Sequence, residues 1–249
     1  MKSNINTLTV ITITYNDTDG LIRTAKSLEQ QSIHVEWIVV NGQPDNENTI
    51  NVANQYNVNK LISEKDNGIY DAMQKGLYYA TSEYIIFLNS GDCFSTNYSV
   101  EHILSHIINQ DVIYFASAIY SNAYLHKIKY PRVPNYNIFH SVPGIQQSTV
   151  YRRLKLISLG NLNSEYKICG DYYIASKLHI SDSIISYSNI IISDFYLGGL
   201  STFSIFKLCN EAWQIQTKVL KVTFFYKIIS YLYRLFSLCN TLLFYKTHI

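Results

Sequence analysis

Ile69-Tyr-Asp-Ala-Met-Gln-Lys-Gly-Leu-Tyr-Tyr-Ala80, then Glu83-Tyr-Ile-Ile-Phe-Leu88, then Asn89-Ser90-Gly91-Asp92, is the run whose pattern decides the fold. Ala72, Met73, Gly76, Leu77 and Ala80 fall on one side at helical spacing. The next segment is continuously apolar, as a strand buried on both faces is. It stops at four turn-forming residues. A helix feeding a buried strand that ends in polar residues is one turn of a βαβ repeat.

The same unit recurs upstream. Leu8–Thr14 is β-branched almost throughout and stops at Tyr15-Asn16-Asp17. Asp17 or Thr18 then caps a helix through Leu21, Ile22, Ala25 and Leu28. Val35–Val40 is a second strand, ending at Asn41-Gly42. Residues 50–56 read as a helix and Lys60–Ser63 as a short strand. Strands alternating with helices at this spacing predict an α/β fold, a Rossmann-like and mostly parallel sheet flanked by helices. Ligands of such sheets sit beyond the carboxyl ends of the strands, which are polar here at residues 15–17, 41–43 and 89–92. Farther on, Asp111–Phe115 and roughly Ala118–Tyr130 read as hairpin-connected strands and Ser148–Tyr151 as another. Tyr172–Leu178 reads as a helix, and Ile184–Asp194 is apolar and β-branched.

With 249 residues, 47% hydrophobic and 15% charged, the chain can bury a large core and is not disordered. A net charge of +2 gives no case for nucleic acid as a partner. The charge is uneven: from Lys207 onward the balance is +5, leaving −3 on the first 206 residues. Cys93, Cys169, Cys209 and Cys239 are widely and irregularly spaced, against a zinc site or a disulfide framework and in keeping with a reducing compartment. The N-terminus is polar and carries no signal-peptide core, which places the expected location in the cytoplasm.

No dinucleotide fingerprint, Walker loop or nucleophile elbow is present. An α/β sheet without these loops holds a phosphate by other means, and a divalent cation on a strand-end carboxylate is the obvious one. Asp92 fits that role, as a solvent-facing side chain delivered by the strand through Gly91. An ordinary acidic turn residue explains it equally well. An Asx turn or helix cap accounts for Asp66 or Asn67 but not for the whole string that follows.

That string, D-N-G-I-Y-D-A-M-Q-K-G-L from Asp66, continuing through E-Y-I-I-F-L-N-S-G-D to Asp92, resembles the central block of family 2 glycosyltransferases. It is most similar to the bacterial branch that builds O-antigen and colanic-acid polysaccharides. Thr14-Tyr15-Asn16, Glu36–Gly42, Gln146–Arg153 and Phe195–Ser201 fit the same family, in order. The resemblance covers roughly residues 7–217. It implies a GT-A fold and inverting transfer of a sugar from a nucleotide diphospho-sugar, with a UDP-sugar the expected donor. It implies that Asp92 holds Mg²⁺ or Mn²⁺, with Asn89 and Gly91 where the family's other motif positions lie. Thr14, Tyr15, Asn16, Asn41, Asp66, Lys75, Ser90 and Gln147 are then expected at the nucleotide-sugar. Asn41 stands near the base in place of the usual aspartate, and Lys75 faces the diphosphate unless it is an exposed helix lysine. Asp171, behind Cys169-Gly170, matches the general base; a helix cap is its structural alternative. Gln146 takes the place of a frequent histidine and suggests a hydrogen-bonding role. His140 and His179 read as surface or satisfied core histidines.

The expected division is a catalytic domain over residues 1–217 and a helical tail over 218–249. In the tail, Thr223, Lys227, Ser230, Arg234, Ser237 and Thr241 trace a narrow polar stripe on an otherwise apolar helix, expected over about residues 218–245. Such a helix packs on protein or lies in a membrane interface, aromatic side down, with Lys227 and Arg234 at phosphate level. The partners this implies are an anionic membrane surface and a lipid-linked glycan acceptor, on the inner face of the plasma membrane. A nucleotidyltransferase would need a Gly-rich basic loop after the first strand, which Thr14–Gly20 lacks. A non-catalytic nucleotide-sugar-binding relative stays open, because Asn41, Asn89 and Gly91 depart from the family pattern.

Overall fold

The computed structural model describes residues 7–247 apart from 57, 122–123, 134–135, 161, 163–164 and 199–203. The Gly199-Leu200-Ser201 part of the expected motif lies outside the described residues. The first half follows the βαβ reading. β1 (Leu8–Thr14), α1 (Thr18–Glu29), β2 (Glu36–Asn41), α2 (Glu47–Gln55), β3 (Lys60–Ser63), α3 (Ile69–Tyr79) and β4 (Tyr84–Phe87) alternate in order. They form the parallel block β3-β2-β1-β4. Asp17 is the N-cap of α1, accepting from Gly20 N.

Among the elements not assigned from the sequence are a two-residue strand β5 (Cys93–Phe94) and helix α4 (Ser99–His106). β6 (Val112–Ser121) and β7 (Tyr124–Lys129) are the expected hairpin, but the first strand runs on to Ser121 rather than ending near Phe115. β8 (Thr149–Arg152), α5 (Arg153–Ser158), α6 (Gly170–Ile180) and β9 (Ile185–Tyr196) complete the mixed half. β8 is inserted antiparallel between β4 and β6, β6 pairs parallel with β9, and β5 closes the edge antiparallel to β9. The sheet is buried on both faces. Ile11, Ile38, Val40 and Phe87 pack toward α3 and α6. Leu8, Val10, Trp37, Val39 and Ile86 pack toward α1 and α4. Neighbouring residues in each strand thus serve opposite faces.

The tail helix starts at Phe224 rather than near residue 218, and a further helix precedes it. α7 (Ile205–Lys218) and α8 (Phe224–Thr247) are separated by a break in which Lys221 takes a left-handed φ of 51°. A third core, with Ile138, Cys169, Tyr172, Ala212 and Ile215, joins α6 to α7. The polar stripe of α8 faces the protein. Gln216 Nε2 donates to Ser230 Oγ (2.7 Å), Ser230 Oγ to Phe139 O (2.6 Å), and Arg234 Nη1 to Ser230 Oγ (2.5 Å). Arg234 is 8% exposed, so it does not sit at the outer surface where phosphate-level placement would need it. The buried carbonyl of Phe139 and the Gln216 amide need polar partners, and the stripe supplies them. Phe224, Phe225, Leu232, Phe236 and Leu243 point outward instead.

Candidate active site

Asp92 lies immediately before β5. Its N–H donates to Asn89 O (3.0 Å), closing a turn in which Gly91 takes a φ of +95°, a conformation that glycine adopts without a Cβ penalty. The side chain is 5% exposed, which corrects the expectation of a solvent-facing carboxylate. Oδ1 accepts from Tyr196 N (3.1 Å) at the end of β9, and the Gln147 side chain also hydrogen-bonds the carboxyl. Asp92 therefore ties the turn after β4 to the mixed half of the sheet. Burial pushes its pKa up to about 8, against the hydrogen bonds and the nearby charge of Arg23.

The residues fit a cation held jointly with substrate. Asn89 Oδ1 is buried without a hydrogen-bond partner, three residues from Asp92 on the same turn. One carboxylate and one unengaged amide oxygen are hard ligands of the kind Mg²⁺ and Mn²⁺ take, with phosphate and water oxygens making up the rest. Among the described residues, no three His, Cys, Asp or Glu side chains gather into a metal cage.

Asp171 stands in the first turn of α6, whose N-cap is Cys169, so it is not the cap itself. Its Oδ1 accepts from Tyr172 N (2.7 Å). Burial pushes its pKa up to about 6, the backbone bonds and the charge of Arg234 opposing. Two side chains hold the approach to it. Tyr70 OH donates to Ile168 O (2.8 Å), and its ring lies where a Cβ on Gly170 would sit 2.5 Å away, so residue 170 must be small. From α7, Glu211 accepts three backbone N–H groups, of Lys167 (3.0 Å), Ile168 (2.8 Å) and Cys169 (2.9 Å). Neither contact has a local sequence signal.

A cavity of about 260 Å³ brings these parts together, lined by Tyr70, Asn89, Gln146, Gln147, Lys167 and Asp171 among others. Gln146 Nε2 reaches Met73 Sδ (3.5 Å). The remaining expected residues sit at or beyond the carboxyl ends of β1 to β4, except Lys75, which is on α3. Thr14 is buried with Oγ1 on Asp17 O (3.4 Å), and Ser90 Oγ reaches Asp17 O and Oδ2 (both 3.0 Å). Tyr15 is exposed beside Gly42, and Asn16 accepts from Asn46 Nδ2 (3.2 Å) with a φ of 52°. Asp66 Oδ1 accepts from Gly68 N (2.9 Å). Asn41 is wholly buried. Its Nδ2 donates to Gln43 O (2.8 Å) and Ser63 Oγ (3.0 Å), and its Oδ1 accepts from Gln43 N (3.1 Å), so the amide braces the loop. Lys75, expected at the diphosphate, has its ammonium engaged within the protein. Its three donors have three acceptors, Lys65 O (2.6 Å), Glu64 (3.0 Å) and Asp71 (3.7 Å), which hold it on the flank of α3.

Residues 9–161 match the family model described as glycosyl transferase family 2. An uncharacterized glycosyltransferase of Mycobacterium tuberculosis is 38% identical over 92 residues, 36% of this chain and 35% of that protein. The match thus spans about a third of that relative's length. A PGL/p-HBAD biosynthesis glycosyltransferase of Mycobacterium bovis is 26% identical over 183 residues, 67% of each chain. Among solved structures, S. aureus TarS 1–349 in complex with UDP-GlcNAc superposes with a TM-score of 0.66 at 16% identity, over 93% of this chain and 73% of that one. The mannosyltransferase PcManGT of Pyrobaculum calidifontis, in complex with GDP-Man and Mn²⁺, gives 0.66 at 13% identity, over 87% and 64%. These likenesses establish a shared fold, and the family match spans well over half of the sequence: the chain belongs to glycosyl transferase family 2.

Proposed function

We propose that this protein is an inverting glycosyltransferase. It moves a sugar from a nucleotide diphospho-sugar, a UDP-sugar first among them, to a lipid-linked glycan in the O-antigen-like branch of bacterial surface polysaccharide synthesis. The observation that carries the reading is one cavity with Asn89 and Gln147, the partner of Asp92, at one side and Asp171 at the other. The printed ligands of the structural neighbours, UDP-GlcNAc and GDP-Man with Mn²⁺, support a nucleotide-sugar donor and a divalent cation.

Asp92 and Asn89 would hold Mg²⁺ or Mn²⁺, which when bound offsets negative charge on the departing diphosphate. Asp171 takes the proton from the acceptor hydroxyl as its oxygen bonds to the anomeric carbon. The bond from that carbon to the diphosphate oxygen breaks with its electron pair leaving on the nucleoside diphosphate, so the anomeric centre inverts. A carboxyl with a pKa near 6 is ionised at neutral pH yet basic enough to share a proton in the transition state. Glu211 and Tyr70 hold the turn that presents it.

The membrane part of the proposal rests on α8. Its outward face is a row of large apolar side chains, with Lys218, Lys221, Lys227 and Lys246 near its ends and flank, a composition suited to an anionic lipid interface. Among the described residues, no helix is long and apolar enough to cross a membrane.

A panel of UDP-, GDP- and dTDP-sugars, assayed for nucleoside diphosphate release with and without Mn²⁺, tests the reading. Release from at least one donor, lost with EDTA, is expected. Donor binding without any release would favour the non-catalytic relative instead.

A further inference from the structure

A second cavity, of about 230 Å³, opens on the other side of Asp171. Val142, Ile168 and Asp171 line both cavities, so Asp171 stands at their junction. The second cavity's far wall is α8, through Tyr233, Arg234, Ser237 and Leu238. This helix lies entirely beyond the residues that match the family model.

One polar atom of the cavity's lining is left without a partner, and a guanidinium shares that lining. His140 Nδ1 is buried and has no hydrogen-bond partner, where the sequence predicts a surface or satisfied core histidine. Arg234 donates through Nη1 to Ser230 Oγ and Phe139 O, and stacks over the Tyr172 ring at 4.7 Å. Among the described residues, no carboxylate lies within ion-pairing distance of it. A buried imidazole nitrogen is costly unless something bonds to it. Apolar and aromatic walls with a few convergent polar groups are the usual make-up of a ligand site. A pyranose ring matches it: an apolar ring face for the aromatic side chains and hydroxyls for Arg234 and His140. Burial and the charge of Arg234 lower the His140 pKa, which keeps the ring neutral and able to accept or donate.

We propose that this cavity is the acceptor subsite, that it takes one sugar ring of the acceptor, and that α8 supplies its selective wall through Arg234. The inference rests on the proposed transfer reaction. A sugar seated here offers a hydroxyl to Asp171 from the side opposite Asn89 and Gln147. The outward apolar face of the same helix keeps that seat next to a lipid surface, where the acceptor's aglycone would lie.

The test uses the full chain, the donor that the panel identifies, and octyl glycosides of glucose, galactose, N-acetylglucosamine and rhamnose as acceptors. At least one glycoside should stimulate nucleoside diphosphate release above hydrolysis by water. Ser237→Trp, which fills the cavity, and His140→Ala should each raise the KM for that glycoside about tenfold or more without a matching rise for the donor. Arg234→Lys, which keeps the charge and can still reach Phe139 O, should alter the ranking of the four glycosides. Stimulation that survives Ser237→Trp, an unaltered ranking, or a wild-type protein that hydrolyses donor but responds to no glycoside overturns the inference. A wild-type protein that releases nothing from any donor instead contradicts the transfer reaction itself. Should Ser237→Trp melt at lower temperature, His140→Ala carries the KM comparison alone.

Discussion

In the proposed reaction two carboxyl groups carry the chemistry, and the same cause, burial, raises both pKa values. Asp171 is raised to about 6 and Asp92 to about 8. For Asp171 the consequence is kinetic. The base works only when ionised, so with saturating cation, which holds Asp92 ionised, transfer should level off above about pH 7 and fall about tenfold per unit well below pH 6. Asp171→Asn keeps an oxygen for Tyr172 N but cannot take the proton. It should lose about 10²–10⁴ of the rate and the acid limb with it. A pH–rate profile of the two proteins checks this; an unchanged acid limb in the variant would assign the titration elsewhere. Asp171 and Asp92 are singled out in the sequence by the motifs around them. Their environment is not. Tyr196 N, Gln147, Tyr70 and Glu211 reach them from distant segments, and no periodicity encodes a contact between residues so far apart. For Lys75 the sequence does not show that Glu64 and Lys65 O engage its ammonium.

At the level of elements, the parallel half of the sheet was readable because each strand is continuously apolar and ends in turn residues. β5 was missed because two residues carry no pattern. The tail shows a different limit. The stripe at steps of 4, 3, 4, 3 and 4 was visible, but not which way it faces. Polar stripes usually face water; here Ser230 and Arg234 satisfy a buried carbonyl and amide, and the aromatics are left outside. Phe225→Ser and Phe236→Ser, together, remove exposed apolar surface, and surface changes of this kind usually alter stability by no more than about 0.5 kcal/mol. Their expected effect is loss of binding to anionic liposomes in a flotation assay, with the melting temperature held. An intact protein that ignores such liposomes, or a double variant that floats as well as the wild type, would remove the membrane role from α8.

Across the whole molecule, the sheet brings two halves to one cleft. The parallel block ends at Thr14, Asn41 and the Asn89–Asp92 turn, whereas the mixed block and α6 bring Gln147 and Asp171. β8 entering antiparallel beside β4 is what places Gln147 against Asp92. Binding and chemistry are therefore assigned to opposite sides of one cavity, and they should be separable. Calorimetric titration of UDP with Mn²⁺ into the wild type, Asp92→Asn and Asp171→Asn, alongside turnover of the UDP-sugar, measures that separation. The account predicts that Asp92→Asn loses the Mn²⁺-dependent part of UDP binding. It predicts that Asp171→Asn binds UDP and Mn²⁺ as the wild type does while turnover falls about a hundredfold or more. Equal loss of binding in both variants, or an Asp171→Asn protein that turns over normally, would contradict it.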